Sequence, residues 1–293
     1  MTSSASGAQL VSAYIPCYNN ARTIGQAIQG IRDQSHPVDE LFVVDDGSTD
    51  DSATIAEGLG VRVIRLGKNL GRGAARAQAM EEARHEFVVC CDATNRLIPD
   101  FVKLALHWCS SENVIGAFGQ WHDPHPQNAV DRWRARHLFR SDVAREMHYR
   151  GYLCTYGALV RKSSVMRVGN YNRQLRHGED LDLGRRLLDI GNVVMDPALQ
   201  VEPLVHNTLP EVMERFARWN RASLDSYTLN TFLSNHILAW RIFIPEDLKR
   251  RDWPAALISA TLPYFSFAYA DKKSFTFLSK SKWEKASPSS SKS

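Results

Sequence analysis

Hydrophobic positions follow two rhythms that alternate along the first hundred residues. Val11 to Ile15 is a short apolar run closed by Pro16, and after Cys17-Tyr18-Asn19-Asn20 the residues Ile24, Ala27, Ile28 and Ile31 recur at helical spacing. That change of period predicts a covered strand followed by an amphipathic helix. Asn20 is the expected N-cap, because its side-chain oxygen can accept from a free N–H of the first turn. The order then repeats, with Leu41 to Val44 as a strand, the loop DDGSTDD, and a helix through Ala53, Ile55 and Ala56 to Gly58. Val61 to Leu66 predicts a third strand, Gly71 to Arg84 a third helix with alanines and Met80 on one face, and Glu86 to Cys91 a fourth strand. Apolar runs without polar alternation belong to a sheet covered on both faces, and strands alternating with helices belong to a parallel, doubly wound α/β arrangement.

After Asp92 the rhythm loosens. Pro99 to Cys109 predicts a helix, Val114 to Phe118 and Gly157 to Val160 strands, and Glu179 to Ile190 a helix with Leu181, Leu187 and Leu188 turned inward. Val193 to Met195 and Leu199 to Val205 read as two short strands, and Pro210 to Trp240 as mostly helical. The expected layout is a flexible tail over 1–9, one continuous catalytic domain over 10–209, a helical and aromatic extension over 210–286, and a disordered Ser-rich tail over 287–293.

Composition narrows the class. With 293 residues, 44% hydrophobic and 23% charged, the chain is an ordinary globular protein, and a net charge of +4 is too small and scattered to make nucleic acid its main partner. Five cysteines, odd in number and lacking a CxxC pair, argue against a disulfide framework or a structural zinc site and read as reduced cytoplasmic thiols. The first residues show no basic-then-apolar leader. Trp253 to Ala270 is the most apolar stretch, yet it holds Pro254 and Pro263 and falls short of the roughly 20 apolar residues a spanning helix needs. Followed by DKKSFTFLSKSKWEK, it reads either as a packed element with a solvated basic tail, the favoured reading, or as peripheral attachment to an anionic membrane from its inner face.

Acidic residues mark the candidate chemistry. Ligands of doubly wound sheets lie beyond the carboxyl ends of the strands, where Asp45 and Asp46 sit. One could accept from a base N–H edge while the other caps the next helix. Asp92 ends the fourth strand and suits a divalent ion shared with a diphosphate. Glu179 and Asp180 occupy a first helical turn, where the macrodipole keeps carboxylates ionised, the state a general base needs; simple capping is the competing use. Asp182 and Arg186 form an exposed i,i+4 pair. His122, His125, Arg132, Arg134, Arg136 and His137 form either a contact for a phosphate-bearing acceptor or a solvated face, the latter favoured.

Taken in order, PCYNN, VVDDGSTDD, LGKNLGRGAARAQAM, CDATNRLIPD, YGALVRKSSVMRVGNYN, GEDLDLGRRLLDIG and RFARW, spread over Val11 to Trp219, resemble glycosyltransferase family 2, the inverting nucleotide-sugar transferases of GT-A fold. The resemblance implies a Rossmann-like doubly wound mixed sheet with helices on both faces and a helical C-terminal extension. It implies a donor that is a nucleoside-diphosphate sugar, of UDP type, and a hydroxyl acceptor on a saccharide or lipid-linked saccharide. By the same resemblance Pro16, Tyr18 and Asn19 line the nucleoside pocket, Asp46 pairs with a uracil-type base edge with Asp45 also in the donor site, and Arg72 approaches the nucleotide. Asp92 and Ala93 match the first two positions of the DxD element, Asp180 the base that deprotonates the acceptor with Glu179 in support, and Arg218 and Trp219 the pair that closes over the donor. His206 matches a position where relatives place a histidine near the diphosphate, so Asp92 and His206 are the implied ligands of a divalent metal, Mg²⁺ or Mn²⁺. The third DxD position departs from the pattern. Thr94 offers a neutral hydroxyl where a carboxylate would bind a hard ion more strongly, which motivates a second reading as a non-catalytic nucleotide- or partner-binding homologue. A nucleotidyltransferase is a third reading, disfavoured by GEDLDL and RFARW.

Overall fold

The computed structural model describes residues 9–141, 146–221 and 229–268. The expected N-terminal tail, apart from its last residue, and the Ser-rich and basic C-terminal segments lie outside these. The described chain divides into two units, one of residues 1–127 and 138–206 and a second of 128–137 and 207–293. The domain expected to run unbroken from 10 to 209 is therefore interrupted by a ten-residue segment that packs with the C-terminal helices.

The first unit opens with β1 (Val11–Cys17), α1 (Ile24–Arg32), β2 (Glu40–Asp45), α2 (Ser52–Gly58), β3 (Arg62–Arg65), α3 (Arg72–Glu82) and β4 (Phe87–Cys91). These are the expected elements, with ends shifted by a residue or two. The first helix starts later than expected: Thr23 is its N-cap, and Asn20 serves through its backbone carbonyl, which accepts from Thr23 and Ile24. Then come β5 (Asn95–Leu97), α4 (Phe101–Trp108), β6 (Val114–Trp121), β7 (Gly157–Arg161), α6 (Lys162–Arg167), α7 (Glu179–Leu188) and β8 (Asn192–Pro203), while α5 (Ala129–Trp133) belongs to the second unit. The two short strands expected after Gly191 are one. Its pairing with β6 passes from Phe118↔Met195 to Gln120↔Gln200, so Asp196-Pro197-Ala198 is absorbed as a bulge and the strand continues.

The eight strands of the described residues form one sheet in the order β3-β2-β1-β4-β7-β6-β8-β5. β3, β2, β1 and β4 are mutually parallel, β7 runs antiparallel to both β4 and β6, and β5 antiparallel to β8. The sheet is thus mixed. Both faces are covered: Val11, Ala13, Ile15 and Cys17 of β1 pack with α1, α2 and α4, while Tyr14 packs with the alanine face of α3 and with Leu183 and Leu187 of α7. Inward on α7 are Leu183, Gly184 and Leu187; Leu181, expected to face inward, is exposed. The Asp182–Arg186 pair forms at 2.5 Å.

The second unit comprises α5, a π-helical turn continuing it from Arg134, then α8 (Leu209–Arg221), α9 (Leu229–Leu238), a second π turn (Ala239–Phe243), α10 (Ile244–Lys249) and α11 (Trp253–Ala268). Its core is aromatic: Trp133 meets Phe216 and Phe243 edge-on, and His137 stacks on Phe243 at 4.1 Å. Arg132, Arg134, Arg136 and His137, expected on an acceptor-facing or solvated surface, are mostly buried here. Asp252 receives the guanidinium groups of Arg132 and Arg136, and Asp247 receives Arg136, His137 and Ser259. Buried charges need such partners, and these lie more than a hundred residues downstream.

At Gly47, just past β2, φ is +75°, and a Cβ would lie 2.5 Å from the Lys68 carbonyl carbon. Gly47→Ala adds both left-handed strain and a clash with backbone, about 2–4 kcal/mol together. Urea unfolding of the variant is expected to show that loss, and a change below about 0.5 kcal/mol would contradict the close approach.

Candidate active site

The strand order reverses between β1 and β4, which flank each other while their chain neighbours run outward on either side. Loops leaving such a switch point on the carboxyl side form a natural crevice. Here those loops are Tyr18 to Thr23, Asp46 to Asp51 and Asp92 to Thr94. The first two are locked together: Asn19 Oδ1 accepts from the Thr49 N–H at 2.8 Å, Ser48 Oγ from the Asn19 N–H at 3.0 Å, Ser52 Oγ from the Asn20 N–H at 2.7 Å, and Asp50 from the Ala21 N–H at 3.0 Å. Asn19 reaches this geometry in the left-handed region, φ 54°. Pro16 is half-buried and Tyr18 is 45% exposed beside the lock.

The two aspartates after β2 are used differently. Asp46 is buried, and its carboxylate accepts from the Leu70 and Gly71 N–H groups at 2.7 and 2.8 Å, fixing the loop that starts α3. Asp45 is also buried, but both its oxygens share one donor, the Ser48 N–H, at 3.3 Å. Acceptor capacity therefore remains on Asp45. Arg72 is exposed as the first residue of α3.

The centre of the site is a residue absent from the sequence reading. Arg76 is 1% exposed. Its Nη2 donates to Asp92 Oδ1 at 2.8 Å, its Nε to Glu179 Oε1 at 3.0 Å, and its Nη1 reaches the Cys90 sulfur and the Thr155 carbonyl. One guanidinium thus ties the end of β4 to the first turn of α7, joining residues 16 and 103 positions away. A pointer existed in GAARAQAM: a charged residue on an alanine face turned inward implies a buried counter-ion. Tyr14 and Tyr171, both buried, complete the surroundings.

Helix α7 begins at Gly178, which adopts φ +72° as the N-cap, a conformation glycine takes without steric cost. Glu179 turns inward to Arg76 and is 2% exposed, whereas Asp180 remains partly exposed. Burial, and then the charge of Glu179, raise the Asp180 carboxyl above the ordinary aspartate range, against the lowering pull of Arg76 and the Leu181 N–H. A partly exposed carboxyl raised in this way takes up a proton at higher pH than an ordinary aspartate.

β8 carries His206 toward the same rim. Asn95 pairs with Pro203, and the Leu204 N–H donates to the Thr94 carbonyl at 2.8 Å, two residues before His206. On its other flank the His122 N–H donates to Val201, and Asp123 offers a carboxylate oxygen within 4.8 Å of a His206 ring nitrogen. Asp123 did not stand out in the sequence. Ala93 is buried between Asp92 and Thr94. Asp46, Asp92, Glu179, Asp180, Asn19 and His206 therefore belong to the first unit, while Arg218 and Trp219 lie on α8 in the second, with Trp219 39% exposed.

The comparisons agree with this architecture. The hyaluronan synthase of Streptococcus pyogenes serotype M1 is 24% identical over 260 residues, covering 80% of this chain, which spans 62% of that protein's length. Among solved structures, a mannosyltransferase from Pyrobaculum calidifontis in complex with GDP-Man and Mn²⁺ superposes with a TM-score of 0.56 at 16% identity over 88% of this chain and 73% of that one. Staphylococcus aureus TarS 1–349 in complex with UDP-GlcNAc gives 0.54 at 17% identity over 80% and 72%. Such identities speak for the fold, which is GT-A. The sequence model described as "Glycosyl transferase family 2" matches residues 12–169, more than half of the chain. This protein belongs to glycosyl transferase family 2.

Proposed function

We propose that the enzyme transfers a sugar from a nucleoside-diphosphate donor, of UDP type, to an acceptor hydroxyl with inversion at the anomeric carbon. The observation that carries this reading is the double grip of Arg76 on Asp92 and Glu179, which gathers the strand-end acid and the acid pair of α7 into one cluster. In a single displacement the acceptor oxygen bonds to the anomeric carbon as the carbon–oxygen bond to the diphosphate breaks. The hydroxyl proton passes to an Asp180 carboxylate oxygen, and the nucleoside diphosphate leaves with the bonding pair. Glu179, held by Arg76, orients the turn that presents Asp180. Tyr18 offers its ring to the nucleoside and Asp45 its spare acceptor capacity to a base N–H, while Asp46 anchors α3 and so positions Arg72. Pro16 and Asn19 shape the loop beneath. Arg218 and Trp219 are the pair proposed to close over the donor, and the acceptor is a hydroxyl of a saccharide or lipid-linked saccharide.

The charge count bears on a metal. One guanidinium stands against three carboxylates, Asp92, Glu179 and Asp180, an excess of negative charge that a diphosphate would aggravate. By donor chemistry, Asp92, with one oxygen on Arg76 and one left over, and His206 would supply a carboxylate and an imidazole to a manganese-class ion, and Asp123 has a carboxylate oxygen within 4.8 Å of a His206 ring nitrogen. When bound, such an ion supplies positive charge to the departing diphosphate. Thr94→Asp is expected to lower the Mn²⁺ concentration for half-maximal turnover roughly tenfold by adding a charged oxygen ligand. An unchanged Mn²⁺ response would count against Asp92 and His206 as the ligands.

The reading is tested by a panel of UDP- and GDP-sugars assayed for released nucleotide, with binding followed in parallel by thermal shift. Release from at least one donor is expected. Binding of the panel without release from any member would favour the non-catalytic reading that Thr94 motivated.

A further inference from the structure

The last helices of the second unit turn an apolar surface outward. Along α11, Trp253 is 66% exposed, Leu257 71% and Tyr264 62%, positions that with Thr261 form one stripe, while Ala255, Ile258, Ser259 and Leu262 line the opposite, buried one. Along α9 and into the turn after it, Leu233, Ile237 and Trp240 recur at steps of four and three and are 48%, 56% and 61% exposed. The stripes adjoin, because the Tyr264 ring lies 5.4 Å from His236 and 6.2 Å from Phe232. A helix at a water surface normally turns its polar side outward, and a contiguous apolar patch of this kind marks an interaction surface.

Exposed charge around the patch is mainly basic. Between Leu229 and Ala268 the basic residues Arg241, Lys249, Arg250 and Arg251 are exposed, whereas Asp247 and Asp252 are buried within the unit's own ion pairs, leaving Glu246 as the remaining acid. Beyond Ala268 the sequence continues with six lysines against two acids, interspersed with Phe275, Phe277 and Trp283. Trp and Tyr with a basic rim match the boundary between acyl chains and anionic headgroups. With 16 residues, α11 is shorter than the roughly 20 needed to span.

We propose that the α9–α11 face seats this protein on an anionic lipid bilayer, with Trp240, Leu257 and Tyr264 entering the interface and Arg241 and Lys249 meeting lipid phosphates. The contact is lateral, and it stands independently of the transfer reading. The full-length chain is to be sedimented with vesicles of equal phosphatidylglycerol and phosphatidylcholine, and with phosphatidylcholine alone, as wild type, as Trp240→Glu/Leu257→Glu, and as Arg241→Glu/Lys249→Glu. Wild type is expected to pellet with the anionic vesicles. Each double variant is expected to partition about tenfold more weakly with its melting temperature unchanged, and binding to phosphatidylcholine alone should be similarly weak. The charge-reversal pair keeps the test informative if the apolar pair disturbs folding. Wild type left in the supernatant with anionic vesicles would overturn the proposal. So would equal pelleting of wild type and both variants, or light scattering showing a wild-type dimer that Trp240→Glu/Leu257→Glu converts to monomer, since a second copy would then cover the face.

Discussion

Asp180→Asn is expected to abolish sugar transfer, by about 10²–10⁴-fold or more, while donor binding survives. The substitution preserves shape and removes only the capacity to take the acceptor proton. Its pH behaviour gives a second readout. Since burial and Glu179 raise the carboxyl in the folded chain, the acid limb of the wild-type rate profile should fall above the ordinary aspartate range. The same shift sets the sign for stability: a carboxyl raised on folding contributes fully below its unfolded range and loses that contribution as pH rises through its folded value. Asparagine cannot ionise. The variant is therefore expected to melt higher than wild type at neutral pH, with the advantage vanishing in acid. A variant that turns over at the wild-type rate would remove Asp180 from the mechanism, and one that melts lower at neutral pH would contradict the buried-charge account.

Arg76→Met is expected to cost both stability and activity. It would leave Glu179 buried without its partner and Asp92 without its guanidinium, and breaking a buried pair by removing one member costs about 3–5 kcal/mol. Denaturant unfolding measures that loss directly. Arg76→Lys separates charge from geometry, because an ammonium cannot reproduce two forked contacts. That variant should recover part of the stability yet remain impaired in kcat more than in KM, as expected for a residue that positions Asp180 through Glu179. Wild-type stability in Arg76→Met would mean that the two grips carry no structural load.

The layout of strands and helices up to Cys91 was legible because local period largely decides it: β1, β2 and β4 are covered on both faces, each helix is amphipathic, and only the edge strand β3 is left without a buried residue. What followed was obscured where distant partners decide. β5 is three residues held by pairing to β8, which lies over a hundred residues on, and β8 itself conceals a bulge at Pro197 that reads as a break. The reversal of β7 against β4 leaves no trace in apolar spacing. Asn20 offered a side chain that could cap, but the folded loop gave that part to its carbonyl. Within the site, Asp92, Glu179 and Asp180 could be singled out because acids at strand and helix ends are conspicuous. Arg76 was hidden among alanines, and the division of labour between Asp45 and Asp46 depends on which amides approach, a tertiary matter. The Arg and His cluster from Arg132 to His137 looked solvated because its counter-ions Asp247 and Asp252 are remote in sequence.

The central claim is that the loops after β1, β2 and β4 and the first turn of α7 enclose one donor. Hydrogen exchange of the full-length protein, with and without a UDP-sugar, tests it most directly. The account predicts simultaneous protection of residues 16–20, 45–51, 92–97 and 178–184. Protection confined to one of these segments, or centred elsewhere while the donor is bound, would contradict it.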